Sequence, residues 1–313
     1  MILVSIVCNT YNHEKYIRDT IESFLSQVTN FEYEILIYDD ASTDNTATII
    51  KEYEKKHPDI IKPIYQTDNQ YSKGLRPGEQ NRKRASGKYI AICEGDDYWI
   101  DEYKLQKQVD YMESHPDCTF CFTNAKCEIN GKFEKNVIPW TKESVVTKNG
   151  IYNIEEIEKI GYIPTASFLC IAENYNRLPS IRQTAFHGDG YIKVGMTSLG
   201  YAYCINEETC VYRFQVPNSA TSKWKSDKNT YVRTANRFIE MYEDFYSLFQ
   251  EKYYIFKQRS LEWEFNKALV CKDYKTLRKN EYKKLYKAKG KKAYIKYLLF
   301  ATFPRICTFI RGL

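Results

Sequence analysis

The sequence of 313 residues predicts an α/β fold built on a mostly parallel sheet with flanking helices, followed by a helical C-terminal region. Over about the first hundred residues, short apolar runs alternate with amphipathic helical stretches, the pattern of right-handed crossovers in a parallel sheet. Beyond residue 224 the chain is rich in Tyr, Phe, Lys and Glu with few Gly or Pro residues, which indicates long helices. We therefore expect a sheet domain over residues 1–220 and a helical region over residues 221–313.

Each element of the sheet domain has a local signal. Apolar runs predict strands at 2–8, 33–38, 60–65 and 88–93, and apolar residues at helical spacing predict helices at 14–27 and from about 44 to 56. Pro63 lacks an N–H to donate, which places the third strand near a sheet edge. From residue 119 to 212 the pattern is mixed, with strand-like pieces at 119–127, 166–171 and 201–205.

Composition excludes several classes of protein. Hydrophobic residues make up 43% of the chain, which excludes disorder, and a mean hydropathy of −0.57 excludes a polytopic membrane protein. The ten cysteines are scattered and several lie within apolar runs, as buried free thiols do in a reducing compartment, so we expect a cytoplasmic location.

Charge is concentrated at the C-terminal end of the chain. Residues 272–313 carry 13 Lys and Arg against 2 Asp and Glu, whereas the whole chain has a net charge of +6, so the preceding residues are net acidic. A basic nucleic-acid surface on the sheet domain is therefore not expected.

Carboxylates follow two of the predicted strands. Asp39 and Asp40 end the second strand, and Asp96 and Asp97 follow the fourth. Ligands of parallel α/β sheets bind beyond the carboxyl ends of the strands. Paired carboxylates without Cys or His favour a hard cation, Mg²⁺ or Mn²⁺, held together with substrate phosphates. For Asp39 and Asp40 a role in a turn is an equally good interpretation.

The common glycine-rich phosphate motifs are absent from the sequence. No Gly-x-Gly-x-x-Gly follows the first strand, and neither a P-loop nor a Gly-x-Ser-x-Gly nucleophile elbow occurs. The carboxylates and a metal are therefore the predicted means of binding a nucleotide.

Three ordered motifs carry a family resemblance. The runs Val-Ser-Ile-Val-Cys-Asn-Thr-Tyr-Asn (4–12), Ile-Tyr-Asp-Asp-Ala-Ser-Thr-Asp (37–44) and Glu-Gly-Asp-Asp (94–97) resemble the family 2 inverting glycosyltransferases with a GT-A fold. The likeness covers about residues 1–215. It implies transfer of a sugar from a nucleotide-sugar donor, with UDP as the expected nucleotide, to a saccharide or lipid-linked acceptor in cell-surface polysaccharide biosynthesis.

The resemblance also implies roles for individual residues. Thr10 and Tyr11 match the residues that surround the donor base, and Asp40 matches a contact to the uracil ring. Asp96 matches the residue that approaches the ribose and Asp97 the metal ligand. A basic residue that reaches the nucleotide matches Arg76 or Lys73.

Asp189 is the candidate catalytic base implied by the same resemblance. It lies in Phe-His-Gly-Asp (186–189), and Tyr212 and Arg213 match the end of the family pattern that follows. The alternative is that Asp189 only caps a helix over residues 191–199. If Asp189 is not the base, Glu207 and Glu208 are the next candidates.

The chain departs from the family pattern after Arg213. Many relatives have a metal-binding His there, whereas this sequence has Phe214 and Gln215. The departure leaves metal dependence open and keeps a degenerate nucleotide-sugar-binding scaffold as an alternative. A sugar nucleotidyltransferase is a second alternative, although it would need a Gly-rich, Arg-containing loop where residues 9–12 read Asn-Thr-Tyr-Asn.

The basic tail predicts contact with an anionic membrane surface. Six lysines between residues 283 and 292 precede about 15 mostly apolar residues that include Pro304 and Arg305. Such a segment is typical of a helix lying in the membrane interface, here on the inner face. A C-terminal helix docked on the catalytic domain, with its lysines in solvent, is the alternative.

Overall fold

The computed structural model describes residues 1–134, 149–214, 216, 227–250 and 252–303. The chain divides into two compact units, residues 1–178 with 192–216, and residues 179–191 with 217–313. The predicted domain boundary between residues 220 and 221 lies outside the described residues and stays a prediction.

The first unit contains a mixed sheet flanked by helices. Its strands, in chain order, are β1 (Ile2–Thr10), β2 (Glu32–Asp39), β3 (Ile61–Tyr65), β4 (Tyr89–Ile92), β5 (Tyr98–Trp99), β6 (Cys118–Ile129), β7 (Lys132–Glu134), β8 (Gly150–Tyr152), β9 (Leu169–Ile171) and β10 (Tyr201–Arg213). The path through the sheet runs β3-β2-β1-β4-β9-β6-β10-β5, with β7 beside β6 and β8 beside β10. The predicted α/β class with a mostly parallel sheet is confirmed.

Parallel pairing follows the crossovers. β1 pairs in parallel with β2 and β4, β2 with β3, and β6 with β10, whereas β9 runs antiparallel between β4 and β6. β3 lies at an end of the path, as Pro63 indicated. The short pieces predicted at 119–127 and 201–205 are two long strands, β6 and β10, whose central location in the sheet buries them and extends their pairing.

Two helices of this unit overlap the helices predicted at 14–27 and from about 44 to 56. The helices of the unit are α1 (Ile17–Leu25), α2 (Thr46–Lys56), α3 (Pro77–Arg82), α4 (Lys104–Ser114) and α5 (Ile154–Ile160), and α6 (Asp189–Thr197) begins in the second unit. α1 is shorter than the predicted helix at 14–27, because Asn12 has a positive φ of 58° and a turn precedes Ile17. The fully buried core includes Ile6, Ile35, Phe24 and eight of the cysteines, which are free thiols as predicted.

The second unit is helical in its described part. It contains α7 (Lys228–Leu248), α8 (Tyr254–Val270), α9 (Asn280–Ala288) and α10 (Lys291–Thr302), which confirms the predicted helical C-terminal region. Asp227 caps α7, because its side chain accepts hydrogen bonds from the backbone N–H groups of Asn229 and Thr230. None of the described helices is both long and apolar enough to cross a bilayer.

Candidate active site

The carboxyl ends of β1, β2 and β4 meet at one edge of the sheet. Thr10 pairs in register with Asp39, and the backbone N–H of Asp40 donates to the carbonyl oxygen of Thr10 at 3.0 Å. The turn after β4 joins them through Gly95, whose N–H donates to the carbonyl of Asn9 at 2.9 Å. Three sequence motifs separated by tens of residues therefore form one site because parallel strands end together.

The turn after β4 packs closely against β1. A Cβ on Gly95 would lie 2.6 Å from Thr10 Oγ1 and 3.0 Å from His13 Nδ1, so this position requires glycine. Thr10 Oγ1 and His13 Nδ1 are both buried, and neither has a hydrogen-bond partner among the described residues. Buried polar atoms of this kind normally find a partner, so the edge is chemically incomplete without a ligand.

Asp40 organises the loop that follows β3. Its carboxylate accepts the backbone N–H groups of Gln70 at 2.7 Å and Tyr71 at 3.0 Å, and the residue is only 4% exposed. Each carboxylate oxygen has a second lone pair, so a further donor such as a base N–H can still be accepted.

The other residues predicted to contact the nucleotide differ in how exposed their side chains are. Tyr11 is half-buried beside Thr10. Arg76 directly precedes α3, its side chain is 24% exposed and it lies 3.7 Å from Glu79. Lys73 is more exposed, at 53%, and lies 3.4 Å from Asp68. Of these two basic side chains, Arg76 is the more buried.

Asp97 is a buried carboxyl in a crowded acidic turn. It is 2% exposed, and its Oδ1 accepts the backbone N–H of Arg213 at 2.8 Å. Burial, together with the neighbouring Asp96, raises the pKa of Asp97 well above its usual range. Burial and Asp96 also raise the pKa of Glu94, to about 7. Ionisation of the carboxyl groups in this turn is thus unfavourable unless a cation compensates their negative charge.

These donors fit a divalent cation that shares its coordination with a ligand. No group of three or more His, Cys, Asp or Glu side chains able to hold a metal occurs within the described ranges. Mg²⁺ and Mn²⁺ are commonly bound through one or two carboxylates plus substrate phosphates, and Asp97 supplies one such carboxylate. Gln215, at the position where many relatives have His, lies outside the described residues.

Arg213, at the end of β10, holds this turn in place. Its guanidinium donates to the carbonyl of Asp96 at 3.2 Å and to Asp19 Oδ2 at 2.6 Å, and lies over the rings of Tyr98 and Tyr16 at 4.3 and 5.2 Å. Sequence reasoning placed Arg213 in the family pattern without assigning these contacts. No local pattern indicated these contacts, because Arg213 lies 116 positions from Asp97 along the chain.

Asp189 belongs to the second unit, whereas Asp97 belongs to the first. It is the first residue of α6 and is partly exposed, so it lies in the first helical turn itself and not before a helix beginning at residue 191. Its neighbour His187 lies with Nε2 3.0 Å from the carbonyl of Arg182, and its ring contacts Tyr191 with centroids 4.8 Å apart. The assignment of Asp189 as the base stays a prediction.

The remaining base candidates line a separate shallow cleft of about 600 Å³, together with Trp99, Tyr103 and Lys107. Glu207 lies 2.6 Å from Lys107 Nζ, and Glu208 lies 3.8 Å from Lys126 Nζ. None of the predicted nucleotide-binding residues lines this cleft. This cleft is open and polar. Its side chains are therefore held less firmly than those at the strand-end edge, where buried polar atoms lack partners among the described residues.

The fold and the strand-end carboxylates define a glycosyltransferase of the GT-A class. The chain matches the family described as Glycosyl transferase family 2 over residues 5–170, more than half of its length. It therefore belongs to that family, and the resemblance seen in the three motifs is confirmed.

Curated relatives are consistent with this membership. Three mycobacterial proteins described as uncharacterized, one of them Rv1520 of Mycobacterium tuberculosis, are 45% identical over 120 residues, 38% of this chain and 34% of theirs. The match thus spans about a third of the length of these relatives. The putative teichuronic acid biosynthesis glycosyltransferase TuaG of Bacillus subtilis is 28% identical over 73% of this chain and 86% of its own. The Escherichia coli enzyme WfaP, a UDP-Glc:α-D-GlcNAc-diphosphoundecaprenol β-1,3-glucosyltransferase, is 41% identical over 36% of this chain and 43% of its own.

Solved structures share the fold. S. aureus TarS in complex with UDP superposes with a TM-score of 0.53 at 16% identity, covering 80% of this chain and 72% of TarS. The mannosyltransferase PcManGT of Pyrobaculum calidifontis, in complex with GDP-Man and Mn²⁺, gives 0.52 at 12% identity, covering 95% of this chain and 86% of its own. At these identities the likeness establishes the fold alone.

Proposed function

We propose that this glycosyltransferase moves a sugar from a UDP-sugar to a saccharide or lipid-linked acceptor, with inversion, in cell-surface polysaccharide biosynthesis. The observation that carries the proposal is the strand-end edge, where Thr10, Asp40 and the Asp96–Asp97 turn meet around buried atoms that lack partners. The names of TuaG, WfaP and TarS, with its bound UDP, support the pathway and the nucleotide.

At this edge the nucleoside would occupy the space beside β1 and β2. Thr10 and Tyr11 would contact the base, and Asp40, held by the backbone of Gln70 and Tyr71, would accept the base N–H. Asp96 would accept a ribose hydroxyl, and Arg76 would face the diphosphate. Because Asp40 is already fixed by two hydrogen bonds, it needs little reorganisation to meet the base.

Asp97 would hold a divalent cation, Mg²⁺ or Mn²⁺. The backbone N–H of Arg213 fixes one oxygen of this carboxylate, which leaves the other for the ion. When bound, the ion would stabilise the negative charge that develops on the leaving diphosphate. PcManGT, whose structure contains Mn²⁺, supports testing that ion first.

Asp189 is the proposed general base. An acceptor hydroxyl is a weak nucleophile, and a carboxylate that takes its proton during attack speeds transfer by about 10²- to 10⁴-fold. A single displacement with one base opposite the leaving group inverts the anomeric centre. The acceptor would be a saccharide, free or attached to a lipid at the cytoplasmic face of the membrane, as the name of WfaP suggests.

The test is release of nucleoside diphosphate from a panel of UDP- and GDP-sugars, with and without Mn²⁺. Wild-type protein should release UDP in the presence of Mn²⁺, and Asp97→Asn should lose at least 99% of that activity while staying folded. Asp110→Asn is a matched control, since that carboxylate lies on the exposed face of α4 and accepts a hydrogen bond from Gln106 at 2.7 Å.

The alternatives give different results in the same experiment. Calorimetric UDP binding without release from any donor would indicate a nucleotide-sugar-binding scaffold. Pyrophosphate release from UTP and a sugar 1-phosphate would indicate a nucleotidyltransferase. Full activity in Asp97→Asn would refute the metal assignment.

A further inference from the structure

Helices α9 and α10 of the second unit have one face buried against α8. The cluster joins α8 to the two later helices and contains Leu261, Phe265, Ala268, Leu269, Leu277, Tyr282, Leu285, Tyr297 and Phe300. Tyr282 is fully buried and its hydroxyl donates to Glu264 at 2.9 Å. The two basic helices therefore pack on α8, within the second unit.

The opposite face of α10 exposes large apolar side chains. Ile295 is 55% exposed, Leu298 40%, Leu299 49% and, just beyond the helix, Phe303 54%. At 100° per residue Ile295, Leu298 and Leu299 fall on one arc, opposite buried Tyr297 and Phe300, and Phe303 directly follows the last helical residue. We call the four exposed residues the outer face of α10. Such a concentration of exposed apolar groups on one short helix indicates a surface that is covered in use.

Exposed lysines lie on α10 and on the helix before it. Lys291, Lys292 and Lys296 are exposed on α10 itself, and Lys283, Lys284 and Lys287 are exposed on the preceding α9. Lys289 pairs with Glu262. The only acidic residue on α9 or α10 is Glu281, so the charge of this surface is strongly positive. Apolar groups bordered by lysines match the acyl and phosphate layers of an anionic membrane.

We propose that the outer face of α10 docks onto an anionic lipid bilayer. The four apolar side chains enter the boundary between headgroups and acyl chains, and the six lysines contact lipid phosphates. At 12 residues α10 is about 18 Å long, too short for a hydrocarbon core of about 30 Å, so the helix lies along the surface. The inference goes beyond the transfer reaction, because it concerns residues outside the matched family region, and it places the enzyme where a lipid-linked acceptor would be.

Nucleic acid fits this surface less well, because phosphate binding alone would use the lysines and leave the apolar side chains without a partner. A second copy of the chain would place six lysines against another six. Charge complementarity thus favours the lipid surface over both.

The experiment uses the full chain and sedimentation with vesicles of phosphatidylcholine alone or with 30% phosphatidylglycerol. Wild type should bind the anionic vesicles at 100 mM salt and be released at 500 mM, because each lysine near the surface strengthens binding by about fivefold. The double variant Ile295→Ser/Leu299→Ser should bind at least tenfold more weakly, and so should Lys283→Gln/Lys284→Gln/Lys287→Gln. Val28→Ser/Ile151→Ser is the matched control, since both side chains are exposed in the first unit; it should bind like wild type.

Substitution is the right test because removing both helices would uncover Phe265 and Leu269 of α8. Release of UDP from a UDP-sugar without vesicles should be unchanged in both sets of variants, which separates this inference from the proposed reaction. Failure of wild type to sediment with anionic vesicles, or equal sedimentation of Ile295→Ser/Leu299→Ser, would overturn the proposal. So would light scattering that shows a wild-type dimer converted to a monomer by that double variant, since a second copy would then cover the face.

Discussion

Replacing Arg213 with Met tests whether this side chain positions the acidic turn. Met keeps an unbranched side chain and leaves the backbone N–H of residue 213 free to donate to Asp97. What is lost is the guanidinium, with its bond to the Asp96 carbonyl, its contact with Asp19 and its stacking on Tyr98 and Tyr16. Glu128, 3.6 Å from the guanidinium and 17% exposed, would lose its cation.

The size of the effect follows from these contacts. A charge-assisted hydrogen bond to a carbonyl contributes about 1.5 to 3 kcal/mol. Each cation–π contact in a desolvated setting adds about 0.5 to 2 kcal/mol. The ion pair with Asp19 contributes less than about 1 kcal/mol, because that carboxylate is 58% exposed. We expect the free energy of unfolding to fall by about 3 to 5 kcal/mol, and turnover below the melting temperature to fall by about 10- to 100-fold as the turn loses its position.

Urea unfolding followed by circular dichroism measures the first quantity, and UDP release from a UDP-sugar measures the second. Arg213→Lys, which restores charge without the planar fork, should recover only part of each. Arg182→Met is the control, since Arg182 also meets two acids, Glu243 and Asp244, but is 46% exposed; it should cost at most about 1 kcal/mol. If Arg213→Met matched wild type in both assays, or lost no more than Arg182→Met, the positioning role would be wrong.

Two further predictions concern carboxylates. Asp189→Asn should keep UDP affinity, measured by calorimetry, and lose about 10²- to 10⁴-fold in transfer rate if Asp189 is the base; unchanged transfer would redirect the search to Glu207 and Glu208. Burial raises the pKa of Glu34, but bonds from Lys62, Ser5 and Ser86 outweigh it and lower the pKa from 4.5 to about 2. A lowered carboxyl pKa stabilises the fold above pH 4.5 and loses that contribution as the pH falls towards 2, here up to about 3 kcal/mol. The urea midpoint of wild type should therefore fall between pH 5 and pH 3 by more than that of Glu34→Gln, whereas exposed Glu32→Gln should behave like wild type; parallel curves for wild type and Glu34→Gln would contradict the linkage.

Much of the candidate site could be predicted from local patterns. The apolar runs that end at Cys8, Tyr38 and Cys93 predict buried strands, because continuous apolar segments are typical of a covered parallel sheet. Once those strands are parallel, their carboxyl ends must lie at the same edge, and the polar residues that follow them must meet there. The location of the strand-end edge thus follows from the periodicity of about one hundred residues.

The structure also decided how the helices of the basic tail pack. Basic and apolar residues between 283 and 303 predicted either a membrane-bound helix or a docked one. In the fold Tyr297 and Phe300 pack in the cluster with α8 while Ile295 and Leu299 are exposed, so α10 is docked on α8 and still has an exposed apolar face. Composition alone could not separate them, because the sequence of α10 is apolar on both arcs.

The sequence by itself determined the α/β class, the order of the strands near the N-terminus and the residues that lie at their ends, since these depend on local periodicity. Only the tertiary structure decided that Arg213 anchors Asp97 across 116 positions, that Asp40 holds the backbone at Gln70 and Tyr71, and that Asp189 lies in a different unit from Asp97. The physical reason is that these contacts arise from packing between distant segments. Packing depends on how complete strands and helices fit together, and no local pattern encodes it.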